Sequence, residues 1–213
     1  VYNEMKGAYS SPDEVLQTAI IQALFPDNTY SKNSGGNPDH IPELTYEHYL
    51  DFYHKYYHPS NAYIYLYGDM DVRERLEWMD REYLSAYDAM QVDSAIPMQK
   101  PFDAMKVVER AYPITDEDPL TNNTYLSYNM VIGDVLDRKL YQAFTVLDYV
   151  LVSAPGAPVR QALIDAGIGE DVYGSYENDV LQPFFSIVAK NANKEDQERF
   201  VSIIEETLRS LVE

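Results

Sequence analysis

The sequence predicts an α+β protein with antiparallel or mixed sheets and helices packed on one face. Three observations lead there. Apolar residues recur at helical spacing in several segments, and short alternating runs rich in strand-forming residues lie between them. The expected strands come next to one another rather than in regular βαβ alternation. With 213 residues, 46% of them hydrophobic, the chain is long enough for a real core and for one large or two small domains.

Residues 1–9 are compatible with the end of a helix, in a pattern too short to decide. Ser11-Pro12-Asp13-Glu14 is a helix start: serine suits the cap, proline the first helical position, and Glu14 closes a capping box. That helix is expected to reach Leu24, with Val15, Leu16, Ala19, Ile20, Ala23 and Leu24 on one face. Phe25 to Pro42 reads as a long loop, broken by Pro26, Gly35, Gly36, Pro38 and Pro42. Thr45 opens a helix to about Tyr57, lined on one side by Tyr46, Tyr49, Leu50, Tyr53, Tyr56 and Tyr57. Pro59 biases His58 out of the helical region and ends it.

Residues 62–67 alternate with period two and predict a strand, stopped by Gly68. Asp71 and Glu74 cap a helix to about Ala86, with Leu76, Met79, Tyr83 and Leu84 inward. Periodicity is lost over 88–103, where Pro97, Gln99, Lys100 and Pro101 suggest a linker. The expected organisation is therefore a first domain at 1–95, a linker at 96–101 and a second domain at 102–213. In the second domain, strands are expected near 105–112, 124–132, 171–177 and 183–190. Helices are expected at about 134–152, at 157–166 (ended by Gly167 and Gly169) and from 194 onward.

Composition excludes several classes. Sixteen Lys and Arg stand against 35 Asp and Glu, giving a net charge of −19, so binding of nucleic acid through phosphate neutralisation is not expected. The acid is spread evenly: six basic against sixteen acidic residues in 1–95, ten against nineteen in 96–213. It serves either as a solvated surface or as a field attracting basic peptides. No run approaches the ~20 apolar residues of a membrane span, so no membrane partner is expected. There is no cysteine, hence no disulfide scaffold, thiol nucleophile or Cys-ligated zinc. The chain starts at Val1 without a signal-peptide pattern and reads as a piece of something longer.

The residues themselves complete no active site. His54 and His58 are four apart, the spacing that puts two imidazoles on one helix face. The residues between them supply no glutamate base, and Pro59 draws His58 off the helix. Surface or capping roles are favoured for His40, His48, His54 and His58. There is no H-E-x-x-H, H-x-x-E-H or G-x-S-x-G, no Walker loop and no dinucleotide fingerprint.

An ordered series of motifs adds a second line of argument. Asn3-Glu4-Met5-Lys6-Gly7 is followed by Ser10-Ser11-Pro12-Asp13, then by Phe25-Pro26-Asp27-Asn28-Thr29-Tyr30 and by Ser34-Gly35-Gly36-Asn37-Pro38. Next come Ile41-Pro42-Glu43-Leu44-Thr45 and Tyr56-Tyr57-His58-Pro59-Ser60-Asn61-Ala62, with Tyr67-Gly68 closing the strand. In order and spacing this resembles the presequence-protease branch of the insulinase/pitrilysin zinc metallopeptidases. A looser match, from Ser153-Ala154-Pro155-Gly156 to Gly167-Ile168-Gly169, resembles the next repeat domain of that family.

The resemblance implies two partial α/β-roll-like repeat domains. Residues 1–95 would be the end of the peptidase domain, and 102–213 the start of a non-catalytic repeat. It also implies a parent zinc endopeptidase that degrades short unfolded peptides in an enclosed chamber. Glu4 would be the third zinc ligand, beside two histidines of an H-x-x-E-H segment expected upstream of Val1. No catalytic residue would then lie in this chain, and the isolated fragment is expected to be inactive and to hold Zn2+ weakly. The alternative is a non-catalytic peptide-binding or structural subunit of the same superfamily. An unrelated acidic interaction module would explain the charge but not the motif series.

Expected partners are peptide substrates and the remainder of the parent polypeptide. The strand at 62–67, cut off from its sheet, would pair with another chain, pair with the second domain or be poorly ordered. The loop 25–42 has two open roles, lining the chamber or serving as a turn-fixed connection. The compartment would be cytoplasmic in a bacterium and organellar in a eukaryote.

Overall fold

Phe184–Ala189 is apolar at every position but Ser186 and buried throughout, the signature of a strand covered on both faces, and the strand runs on to Ala192. In the computed structural model, which describes residues 1–212, it is the central strand of the sheet. The chain forms two compact units, one from Asn3–Gly35 with Pro97 onward and one from Gly36–Ile96.

The first unit contains helices α1 (Tyr2–Ala8) and α2 (Pro12–Leu24), then strand β1 (Thr124–Val131) and helices α5 (Arg138–Asp148) and α6 (Pro158–Asp165). Strands β2 (Asp171–Glu177) and β3 (Phe184–Ala192) and helix α7 (Gln197–Ser210) complete it. The second unit contains α3 (Tyr46–Tyr56) and α4 (Val72–Glu82). The α+β class is as the sequence predicts.

The sheet order is β1-β3-β2, antiparallel throughout. Because strand side chains alternate, Leu126, Phe185, Ile187 and Val172 share one face. They form the main core with Val159 and Leu163 of α6 and Phe200 and Ile204 of α7. Phe184 and Val131 lie on the other face, against Ile20 and Leu24 of α2 and against Phe25. That face also carries Ser186, opposite Asn129 and Ser175. Ser186 is only 2% exposed and its hydroxyl has no partner among the described residues. An unpaired buried hydroxyl is a net cost of about 1 kcal/mol or more. Ser186→Ala is therefore expected to raise stability by about 1 kcal/mol in urea unfolding.

Helix ends follow the local chemistry. The helix anticipated from about 134 begins at Arg138, because the Asp137 carboxylate accepts from Lys139 N and Leu140 N and so fixes the first turn there. A wider turn over Tyr149–Ser153 continues it. Helix α6 starts on Pro158 and stops at Gly167, whose φ of +70° takes the left-handed cap conformation.

Two expected strands are not formed. Residues 62–67 and 105–112 form no regular element and belong to no sheet among the described residues. Alternation makes a segment fit for a ladder, but a strand exists only once a partner supplies the hydrogen bonds. Tyr63, Tyr65 and Tyr67 are accordingly exposed.

The faces predicted to be inward on α3 and α4 are also largely open. Neither helix has a buried residue, and Tyr46, Tyr49, Leu76 and Trp78 are exposed. Local stacking organises this unit instead. Tyr53 stacks on Tyr57 at 5.1 Å, Phe52 meets Tyr56 at 4.8 Å, and His58 lies edge-on to Tyr87 at 5.2 Å.

Candidate functional site

Glu4 stands in the first turn of α1, where a carboxylate complements the helix dipole. Its side chain is exposed and makes no hydrogen bond or ion pair among the described residues. The helix is short and held locally. Met5 N donates to Val1 O at 2.8 Å, and the Ser10 hydroxyl donates to Gly7 O at 2.6 Å. The Met5 thioether occupies the space a side chain at Gly35 would take, so the 33–35 turn lies against α1.

A carboxylate suits zinc at ~2.0–2.2 Å, but a zinc centre needs three or four donors. Among the described residues no group of three or more His, Cys, Asp or Glu is placed to hold a metal ion. The donor set of this chain therefore does not by itself fit a zinc centre, and Glu4 is a single available donor.

The histidines are used locally. His58 has extended backbone (φ −116°, ψ 145°), outside α3, and its Nδ1 accepts from Ser60 N at 3.1 Å. It caps the turn Pro59–Asn61, so His54 and His58 do not share a helix face. His40 Nδ1 lies 3.0 Å from Glu43 Oε2 at the surface.

The loop after α2 is fixed by buried polar groups rather than left open. Gln99 accepts from Asp27 N at 2.9 Å and donates to Asp27 Oδ2 at 2.6 Å. Gln99 N donates to Gln182 Oε1 at 2.5 Å, and Gln182 returns a bond to Gln99 O. Asn28 donates to Pro97 O and accepts from Tyr30 N, while the Tyr30 hydroxyl accepts from Leu181 N. Asn28, Gln99 and Gln182 are all more than nine-tenths buried. Satisfied buried networks specify one arrangement, so residues 25–31 have a structural task.

Two charged groups escaped the sequence reading. Asp148 has a buried Oδ1 without a partner among the described residues, and burial pushes its carboxyl above the usual range, partly offset by a hydrogen bond from Ser153. It lies one helical turn beyond Phe144 in α5, the spacing that would have placed it inward. Lys190 of β3 pairs with Asp13 of α2 at 2.5 Å and lies over the rings of Tyr173 and Tyr125, at 5.2 and 5.6 Å. The bond to Asp13 raises its pKa. The folded pKa being the higher one, this contribution is complete below the unfolded value near ~10.4 and is lost only as pH rises through the folded one.

Comparison with known proteins places the chain. Residues 43–213 match the family described as "Peptidase M16 inactive domain". Over 213 residues the chain is 46% identical to Protein HypA of Clostridium perfringens, covering 100% of this chain and 22% of that protein. It is 38% identical to Presequence protease 1, chloroplastic/mitochondrial, of Arabidopsis thaliana, covering 100% of this chain and 20% of that protein. Presequence protease, mitochondrial, of Danio rerio is 32% identical, with 100% and 21% covered.

The chain thus spans about a fifth of the length of the curated relatives it matches. An M16-like peptidase from Alicyclobacillus acidocaldarius shares the fold, with a TM-score of 0.55 and 19% identity over 98% of this chain and 48% of that one. Among the described residues no helix is long and apolar enough to cross a membrane. Motif series, α+β architecture and family match converge: the chain belongs to the M16 peptidases, the insulinase/pitrilysin type, and resembles their presequence proteases.

Proposed function

We propose that this chain is part of a zinc endopeptidase that degrades short unfolded peptides in an enclosed chamber, to which it contributes one metal ligand, Glu4. The observation that carries the reading is the free carboxylate of Glu4, exposed on α1 within the Asn3–Gly7 motif of a chain that belongs to the M16 family. A carboxylate beside two histidines leaves one position open for water, the arrangement of a catalytic zinc site. The two histidines and the general base would come from an H-x-x-E-H segment outside this chain. The remainder of that polypeptide is then the principal partner. Zinc, when bound, would supply an activated water; this chain's part is to hold one carboxylate in place.

Alone, the chain is expected to hold zinc weakly and to cleave nothing. The acidic surface, at net charge −19, favours basic peptides as substrates. The compartment would follow the host: organellar in a eukaryote, cytoplasmic in a bacterium.

The test uses the parent protein. Glu4→Gln removes the anionic donor at nearly constant shape. It is expected to lower zinc content at purification and peptide turnover by at least a hundredfold, while leaving the melting temperature of the metal-free protein unchanged, since Glu4 is exposed and makes no hydrogen bond or ion pair among the described residues. Full turnover with full zinc in that variant would refute the assignment. So would chelator-sensitive cleavage of a peptide by the isolated chain, measured by mass spectrometry.

A further inference from the structure

Helix α2 is fastened to the sheet at both ends. Its buried side chains, Ile20 and Leu24, lie in its second half, and Phe25 at its end meets Phe184 of β3 at 5.9 Å. At its start the tie is polar. Asp13, in the first turn, pairs with Lys190 of β3 at 2.5 Å. The Lys190 ammonium also lies 5.6 Å from the ring centre of Tyr125 on β1 and 5.2 Å from that of Tyr173 on β2. Strands β1, β2 and β3 thus each give one residue to a clasp around the pair. Cation–π contact with two rings and a charge-assisted hydrogen bond hold the lysine stem in place. Asp171, opposite Lys190 in register, pairs instead with Arg160 at 3.8 Å. The corner between α1 and α2 is closed by hydrogen bonds. Tyr9 N donates to Met5 O at 3.0 Å, Ser10 N to Gly7 O at 3.1 Å, Ser11 N to Ala8 O at 3.0 Å and Val15 N to Ser11 O at 3.1 Å. Helix α1 therefore moves with the start of α2, and all of these residues belong to the first unit.

We propose that Lys190 is a positioning residue for Glu4: by holding Asp13 it fixes the start of α2, the corner after α1, and the carboxylate that α1 carries. The inference rests on the reading of Glu4 as a metal ligand and deepens it. Lys190 lies in the stretch that matches the domain described as inactive. That domain then takes part in the site without touching substrate or metal. Magnitudes support a role in placement. Thirteen helical residues span ~20 Å, so a tilt of ~3° about the Phe25 end carries the start of α2, and α1 with it, ~1 Å sideways. Metal ligands keep their distances to within ~0.2 Å, and a misplacement of ~1 Å can cost about a hundredfold in rate. The ion pair itself, with side chains 25% and 53% exposed, adds little to global stability.

The test uses the parent protein. Lys190→Met keeps an apolar stem between the rings and removes the charge, Asp13→Asn removes the anionic partner, and Lys190→Arg keeps a cation. Lys190→Met and Asp13→Asn are each expected to weaken zinc binding at least tenfold, measured by chelator competition, and to lower kcat with KM unchanged. In the metal-free protein both should speed amide hydrogen exchange over residues 3–11 and leave the melting temperature in place. Lys190→Arg should keep both zinc binding and slow exchange. The double variant Asp13→Asn/Lys190→Met should lose no more than either single one, since the two residues act as a unit. Unchanged zinc affinity in Lys190→Met, or an equal loss in Lys190→Arg, overturns the proposal. So does weakened zinc binding without faster exchange over 3–11. Failure of the Glu4 reading shows separately, as full zinc affinity in Glu4→Gln. The exchange measurement needs no metal and still decides whether Lys190 steadies α1. Should Lys190→Met fail to fold, Asp13→Asn, at a half-exposed side chain, carries the test.

Discussion

Phe25→Ala is expected to destabilise the first unit by about 3–4 kcal/mol, the usual cost of truncating a buried aromatic. For a protein of this size that lowers the melting temperature by about 10 °C. Phe25 is 1% exposed. Its ring meets Tyr30 at 5.5 Å and Phe184 at 5.9 Å, both edge-to-face, and Ile20 and Leu24 close the cluster. Removing the ring opens a void where α2 meets the sheet and releases Tyr30, whose hydroxyl accepts from Leu181 N. The small apolar cluster cannot collapse around the void without moving β3. Calorimetry or urea unfolding measures the effect, with Leu44→Ala as control. Leu44 is 69% exposed, so its truncation should stay within about 0.5 kcal/mol. A loss below about 1 kcal/mol for Phe25→Ala would show that residues 25–31 do not pin α2 to the sheet.

Phe25 also shows where the sequence could be read and where it could not. As the first residue after the α2 periodicity, followed by Pro26, it looked like the opening of a loop. Its burial comes from Phe184, 159 positions along the chain, and no local pattern reports such a contact. The helix starts at Pro12 and Pro158, and the strands β2 and β3, were legible because proline and side-chain pattern act within a few residues; the capping box expected at Ser11 and Glu14 is not formed, since the Ser11 side chain caps nothing. Residues 62–67 carry the alternation of a strand yet stay unpaired, as do 105–112, among the described residues. Propensity is local, whereas a ladder requires a second strand.

The candidate site divides in the same way. Glu4 was singled out by a motif series; by composition alone it is one of 35 acidic residues. The structure shows an exposed carboxylate there, and among the described residues no group of three or more His, Cys, Asp or Glu is placed to hold a metal ion. Asp148 went unnoticed because an inward carboxylate in an amphipathic helix breaks the pattern used to find helices. The network of Asp27, Gln99 and Gln182 joins three distant stretches, and a Gln within a Pro-rich stretch reads as linker until its partners are known.

Gly169→Ala is expected to cost about 3 kcal/mol, and Gly156→Ala about 1 kcal/mol, although both glycines have nearly the same backbone. Their φ angles are +74° and +72°, so the left-handed strain on a new Cβ is alike, about 1–2 kcal/mol. Their surroundings differ. At Gly156 a Cβ meets nothing within 4 Å. At Gly169 it would lie 2.7 Å from the carbonyl oxygen of Lys190 and 3.1 Å from the Ala189 Cβ. The obstacle is backbone, which cannot swing away as a side chain does. Relief requires the start of β2 to move off β3, where Glu170 N donates to Lys190 O at 2.8 Å and Asp171 pairs in register with Lys190. A moved β2 would also disturb Val172, 1% exposed in the main core. Urea unfolding of the two variants isolates the steric part as the difference between them, about 2 kcal/mol. Hydrogen exchange locates it: β2 amides should lose protection in Gly169→Ala and keep it in Gly156→Ala. Equal losses in the two variants would mean that backbone strain alone acts at both turns, and that the close approach of Gly169 to β3 contributes nothing to holding the sheet together.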